Sequence, residues 1–233
     1  MVLKAIAEEM VDHAFAKGQP DYNKNFAERA GGDHLPWIVM RRADGAISDL
    51  AAIHASCPAG SAVQLNMPFE GRKLEASEAK RPEIIRTVFS ALVHELVHVR
   101  QCGADKVQYH ATARRQATNE VPGLERTPAE WMQNYYAEEL ELEAHAVQLA
   151  AEMRLLGMDV LVTDPNGSWV QETEVSRRVH SRLFPAEREA DADADADAWW
   201  IRLVDLAAAH QEAWNASSVS INADDAESDD EAR

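Results

Sequence analysis

Apolar residues recur along this chain in two periods, and the period assigns the elements. Leu3, Ile6, Met10, Val11 and Ala14 share one helical face, predicting a helix over residues 1–17 that Gly18 and Pro20 end. "LPWIVMRRADGAIS" reads as a strand, Trp37–Arg41, followed by a turn at Asp44-Gly45. In "SAVQLNMP", Val63, Leu65 and Met67 alternate with Ala62, Gln64 and Asn66, the period of a second strand. A loop of mixed charge then runs to Arg81.

Pro82 opens the strongest helical signal, because a first-turn proline gives up no hydrogen bond. Apolar residues at 84, 85, 88, 89, 92, 93, 96, 97 and 99 make a stripe broad enough to predict a central, buried helix, with Gly103 as its stop. "TPAE", 127–130, is a capping box, with Thr127 as cap and Glu130 reaching back, predicting a helix towards Gly157 with room for a break midway. "DPNG", 164–167, is a turn. "EREADADADADAWW" is low-complexity: its alanines favour helix, its alternating aspartates oppose one another, and no local structure is assigned. Residues 216–233 are polar and acidic, predicting a disordered tail behind a single domain over 1–215.

Charge narrows the function classes. The 233 residues carry 40 acidic and 23 basic side chains, a formal net charge of −17. Such a surface repels nucleic acid and anionic membranes and attracts cations or basic partners. No apolar run reaches the roughly 18 residues of a membrane span. "MVLKAIAEEMVDHAFAKG" lacks the apolar core of a secretory signal. Cys57 and Cys102, the two cysteines, form no Cys-x-x-Cys pair, so a thiol-retaining cytoplasm is the expected compartment.

The chemistry concentrates in "ALVHELVHVRQ", residues 91–101. His94-Glu95-Leu96-Val97-His98 is H-E-x-x-H. Each helical residue turns about 100° and rises about 1.5 Å, so imidazoles four apart can address one ion. Glu95, about 100° round, borders that ion and can act on a water it holds. H-E-x-x-H also arises by chance, but a chance match need not fall on an apolar helix. Here three costly polar groups sit on the buried stripe, and a metal compensates them.

An open zinc site needs a third protein ligand and a water. A third histidine six residues after His98 would define one large branch of such enzymes, but Ala104 stands there and Gln101, not glycine, stands at the midpoint. The remaining options are "YYAEELELEAHA", 135–146, where Glu138, Glu141 and His145 share a helical face, and Glu187 in "EREAD". Taken alone, the acidic cluster reads as a solvated helix face. Beside a histidine pair that lacks a carboxylate, it reads as the source of one.

The "HELVH" helix followed by a Glu-x-x-Ala helix resembles the gluzincin metallopeptidases. The resemblance is to the minimal versions often encoded by phages and mobile elements, and more distantly to ImmA/IrrE-type peptidases. It rests on two short motifs. It implies an α+β, zincin-like fold: a small twisted sheet packed on a buried H-E-x-x-H helix, with a second helix bearing a ligand. It implies Zn2+ held by His94, His98 and Glu141, with His145 supporting the first helix, and Glu95 as the catalytic base. Position 145 departs from the commoner Asp or Asn, and Glu143, Glu138 and Glu187 stay open as alternatives to Glu141.

The expected activity is hydrolysis of a peptide or protein substrate by a Glu-activated water. A donor must stabilise the oxyanion. Tyr135, Tyr136, His110 and His180 are candidates, each equally explained as packing or surface. Arg100 and Gln101 line the cleft or belong to plain surface. Either strand, "AVQLNM" or "WIVMR", is a possible edge for an extended substrate. Asp191, Asp193, Asp195 and Asp197 imitate a calcium loop, but Ala196 and Arg202 replace its required glycine and glutamate. A different class of function fits the same charge: an acidic binding protein, such as a DNA mimic, whose metal site is structural or vestigial.

Overall fold

The computed structural model describes residues 2–15, 24–29, 31–32, 34–43, 50, 53–57, 62–68, 79–118, 139–160, 173–180 and 194–227. The chain divides into two compact units, Met1–Ala144 and His145–Arg233. The architecture is α+β, mostly helical with one small sheet.

In the first unit, α1 (Val2–Phe15) buries Ile6, Ala7, Met10, Val11 and Ala14, the predicted stripe displaced by little more than Leu3, which is half-buried. It packs against α3 (Arg81–Ala104), and Arg81 pairs with Asp12. The short α2 (Phe26–Arg29) lies against the first strand, β1 (Trp37–Ala43). Asn25 Oδ1 accepts from the backbone N–H of both Ala27 and Ile38, tying the start of α2 to that strand.

The three-stranded sheet has the order β1–β3–β2. β1 (Trp37–Ala43) runs parallel to β3 (Ala62–Pro68), pairing Ile38 with Val63 and Met40 with Leu65. β2 (His54–Ser56) pairs antiparallel on the other side of β3, Ala55 opposite Leu65. β3 shows the predicted alternation: Val63, Leu65 and Met67 have no exposed surface, whereas Ala62, Gln64 and Asn66 are half-buried. Of the two strands offered as an edge, "AVQLNM" is central and "WIVMR" lies at an edge. The second edge is β2, three residues long and too short to show a period.

α3 packs on α1, β2 and β3, and buries Ile84, Val88, Phe89, Leu92, Val93 and Val97. Each fully buried aliphatic side chain contributes about 1.5–3 kcal/mol, so the helix that carries H-E-x-x-H is fixed by its own apolar face. It continues one residue past Gly103, to Ala104. There Asp105 turns the chain: its N–H donates to the carbonyl of Gln101, and its side chain accepts from the N–H of Gln108 to start α4 (Lys106–Thr118).

The capping box at 127–130 lies outside the described residues. The helix it announced, α5, is described over Glu139–Leu155. It ends in a Schellman motif at Gly157, whose φ is 70°: Met158 N–H donates to Met153 O and Gly157 N–H to Arg154 O. α5 begins in the first unit, and its remaining turns belong to the second.

In the second unit, Gln211 of α6 (Ala194–Glu227) clamps the chain after α5, accepting from Val160 N–H and donating to Met158 O. Gln148 Nε2 donates to Glu152, whose other oxygen accepts from the N–H of Glu174 ahead of the π-helix Ser176–His180. The α6 backbone extends to Glu227, into the segment read as a disordered tail. No glycine or proline interrupts 194–227, and its alanines favour helix. Among the described residues, no helix is long and apolar enough to cross a membrane.

Candidate metal centre

α3 sets His94 above His98 by helical spacing, and the two rings meet edge to face with centroids 4.7 Å apart. Their Nε2 atoms are 3.1 Å from each other. Glu141 enters from α5. Its Oε2 lies 3.4 Å from His94 Nε2 and its Oε1 lies 3.5 Å from His98 Nε2. His98 and Glu141 are 7% and 4% exposed, so the cluster is shielded from bulk water. These atoms all belong to the first unit.

The donor set and its spacing fit a zinc ion. Two imidazole nitrogens and a carboxylate are its ordinary ligands, at about 2.0–2.1 Å, and tetrahedral ligands at that radius stand about 3.3–3.4 Å from one another. Here the two Nε2 atoms stand 3.1 Å apart, and each meets a different Glu141 oxygen, Oε2 at 3.4 Å from His94 and Oε1 at 3.5 Å from His98. Among the described residues, His94, His98 and Glu141 are the group of three that could hold a metal.

Of the other carboxylates considered, Glu143 is committed elsewhere, to Arg100 at 2.5 Å and to Gln101 Nε2 at 2.9 Å. Glu138 and Glu187 lie outside the described residues. His145, given a supporting role by the resemblance, hydrogen-bonds with Gln148 along α5 at 3.0 Å.

The charges in the cluster are strongly coupled. Burial disfavours the imidazolium of His98, but the hydrogen bond and charge of Glu141, with help from Glu95 and Gln101, raise its pKa to about 9. Burial also acts to raise Glu141, yet its hydrogen bonds with His94 and His98 and their charges hold it well below the usual carboxylate range. Glu95 moves the other way: burial pushes its carboxyl up, and the charges of His94 and His98 only partly offset this. Adjacent carboxylates are thereby separated into a permanent anion, Glu141, and a proton acceptor of higher affinity, Glu95.

Gln101 joins the two helices. Its Oε1 accepts from His98 Nδ1 at 2.8 Å, and its Nε2 donates to Leu140 O at 3.0 Å and to Glu143 at 2.9 Å. Arg100, read together with it, is exposed and meets Glu143.

The oxyanion-donor candidates fare differently. Tyr135, Tyr136 and the side chain of His180 lie outside the described residues. His110 stacks edge-on with Tyr109 at 5.6 Å. Tyr109, absent from the sequence reading, is closer to the chemistry: its ring lies 6.1 Å from that of His98 and is half-buried. Burial first, and then charge repulsion that includes Glu95 and Glu141, push its phenol upward and keep the proton on it. His54, on β2, lies near enough for its charge to act on Glu95. The signal for Tyr109 was present as Asp105 followed by Gln108, a cap that starts a new helix directly after α3. His54 left none.

Comparison with known protein families, with characterised proteins and with solved structures returns no match for this chain.

Proposed function

We propose that this chain is a zinc-dependent peptidase with a zincin-like arrangement of sheet, H-E-x-x-H helix and ligand helix. The observation that carries the reading is the convergence of one donor atom each from His94, His98 and Glu141 within 4.8 Å of one another, with Glu95 beside them. His94, His98 and Glu141 would hold the ion, which supplies a water of lowered pKa and polarises a carbonyl.

The chain's own groups then have distinct tasks. Glu95, its pKa raised by burial, takes the proton of the attacking water on its carboxylate. It delivers that proton to the departing amide nitrogen as the peptide bond breaks. Tyr109, held protonated, is positioned as a donor to the oxygen on which charge develops. β2, an edge strand packed against α3, offers backbone groups to an extended substrate. A cytoplasmic setting agrees with the cysteine content.

The test is zinc content together with cleavage of an unstructured protein such as casein. The reading requires about one zinc per chain, and Glu95→Gln must abolish cleavage with zinc retained. The net charge of −17 supports a second reading, an acidic binding protein that occupies a basic partner. Such a protein would be indifferent to Glu95→Gln and would lose its effect when surface carboxylates are neutralised.

A further inference from the structure

We infer that Gln101 is a positioning residue that fixes the ring of His98 with Nδ1 protonated and at the same time locks the Glu141 helix to α3. The inference rests on the zinc-site reading and extends it to a group that touches no metal.

The argument starts from the amide itself. A glutamine side chain has one end that only accepts and one that only donates. Gln101 Nε2 faces two groups that can only accept, the Leu140 carbonyl at 3.0 Å and the Glu143 carboxylate at 2.9 Å. The amide therefore has one orientation, with Oε1 turned to His98 Nδ1 at 2.8 Å. An oxygen there accepts a hydrogen bond, so Nδ1 must carry the hydrogen. Nε2, the nitrogen facing His94 and Glu141, is thereby the one that gives up its proton and offers a lone pair when an ion binds. At 9% exposure, water competes poorly for these bonds.

The same amide spans a sequence separation of about forty residues, and its contacts flank Glu141 on both sides, at Leu140 and at Glu143. Arg100, the preceding residue, adds a second tie to Glu143. A single side chain thus sets the ring state of one ligand and the placement of another. Glu143 holds the amide and Arg100 holds Glu143; neither need approach the ion.

The test compares four full-length proteins: wild type, Gln101→Met, Gln101→Glu and the double variant Gln101→Glu/Glu143→Gln. Met keeps the bulk and removes every polar contact. Glu keeps the acceptor for His98 but sets a second carboxylate against Glu143 and the Leu140 carbonyl. The double variant returns a donor–acceptor pair in reversed sense. Zinc affinity is read by competition with a chromophoric chelator, and the His98 Nδ1–H by ¹⁵N-resolved NMR of the zinc-loaded protein. We expect Gln101→Met to bind zinc about 10–100-fold more weakly, the effect typical of losing a hydrogen-bond partner behind a metal ligand. Its Nδ1–H signal is lost to exchange. Gln101→Glu weakens binding too, and the double variant regains most of the affinity and the signal.

Unchanged affinity in Gln101→Met overturns the inference, as does a wild-type His98 whose protonated nitrogen is Nε2. If Gln101→Met does not fold, failure of the double variant to improve on Gln101→Glu overturns it as well. Should wild type take up no zinc, the zinc-site reading falls by itself. The Nδ1–H signal in metal-free protein then decides Gln101 separately, and its absence overturns the inference.

Discussion

Glu141→Gln removes one ligand charge while keeping the shape of the side chain, and its effect on zinc affinity should depend on pH. Structural zinc sites with four ligands bind with about 10–16 kcal/mol, or about 3–4 kcal/mol per ligand, which corresponds to about two to three orders of magnitude in affinity. Against this stands the proton on His98, whose pKa is raised to about 9 chiefly by Glu141 in opposition to burial. At pH 7 zinc must displace that proton across about two pKa units, a cost of about 2.7 kcal/mol or roughly a hundredfold in affinity. Glu141→Gln withdraws the anion, and His98 falls back towards its ordinary value, so most of this proton cost disappears. The variant should therefore bind zinc about 100–1000-fold more weakly than wild type at pH 9, but at most about tenfold more weakly at pH 7. Wild-type affinity should climb about tenfold per pH unit over that range. Competition with a chelator of known proton affinity at both pH values measures all four constants. An equal loss at pH 7 and pH 9, or a wild-type affinity flat between them, would refute the reasoning.

Glu95→Gln should retain zinc and lose cleavage by about 10²–10⁴-fold, the usual contribution of a general base, as read by turnover of a fluorogenic peptide. Tyr109→Phe should lower kcat by about 10²–10³-fold with KM little changed; a change confined to KM would remove Tyr109 from the oxyanion role. Zinc at 100-fold excess over its Kd should stabilise the first unit by about 2.7 kcal/mol in urea titrations, and identical curves with zinc and with chelator would contradict the site. In chelator the sign of the His98 term is set by a folded pKa of about 9 above the ordinary 6.5. Its stabilisation is present below pH 6.5 and is lost as pH rises through 9, so a metal-free urea midpoint that rises over this interval would argue against the His98–Glu141 pair.

Several features of the fold and of the site were legible because they depend on local periodicity. The α3 stripe and the alternation of Val63, Leu65 and Met67 are statements about neighbouring residues, and burial follows them closely. The histidine pair is likewise local, since four-residue spacing is enough to align His94 and His98. Glu141 required the resemblance, because nothing in "EELELEAH" alone ranks one carboxylate above the rest. Contacts across long sequence separations were illegible for the opposite reason. Gln101 to Glu143 depends on how α3 and α5 approach, and a glutamine after H-E-x-x-H carries no mark of it. β2 has three residues, fewer than a period needs, so its position at the sheet edge beside Glu95 emerged only with the fold. α4 and Tyr109 were overlooked although Asp105 and Gln108 mark that helix start. The α6 backbone reaches Glu227, inside the segment expected as an acidic tail, and its alanines and lack of helix breakers favour that helix.

The central claim is that one cation sits among His94, His98 and Glu141. Its most direct measurement is a crystal structure of the zinc-loaded protein, with anomalous diffraction recorded on both sides of the zinc absorption edge. The account predicts a single strong anomalous peak about 2.0–2.2 Å from Nε2 of His94, Nε2 of His98 and a Glu141 carboxylate oxygen. A peak bound by other residues, or no peak in crystals that diffract well and were grown with zinc, would contradict it.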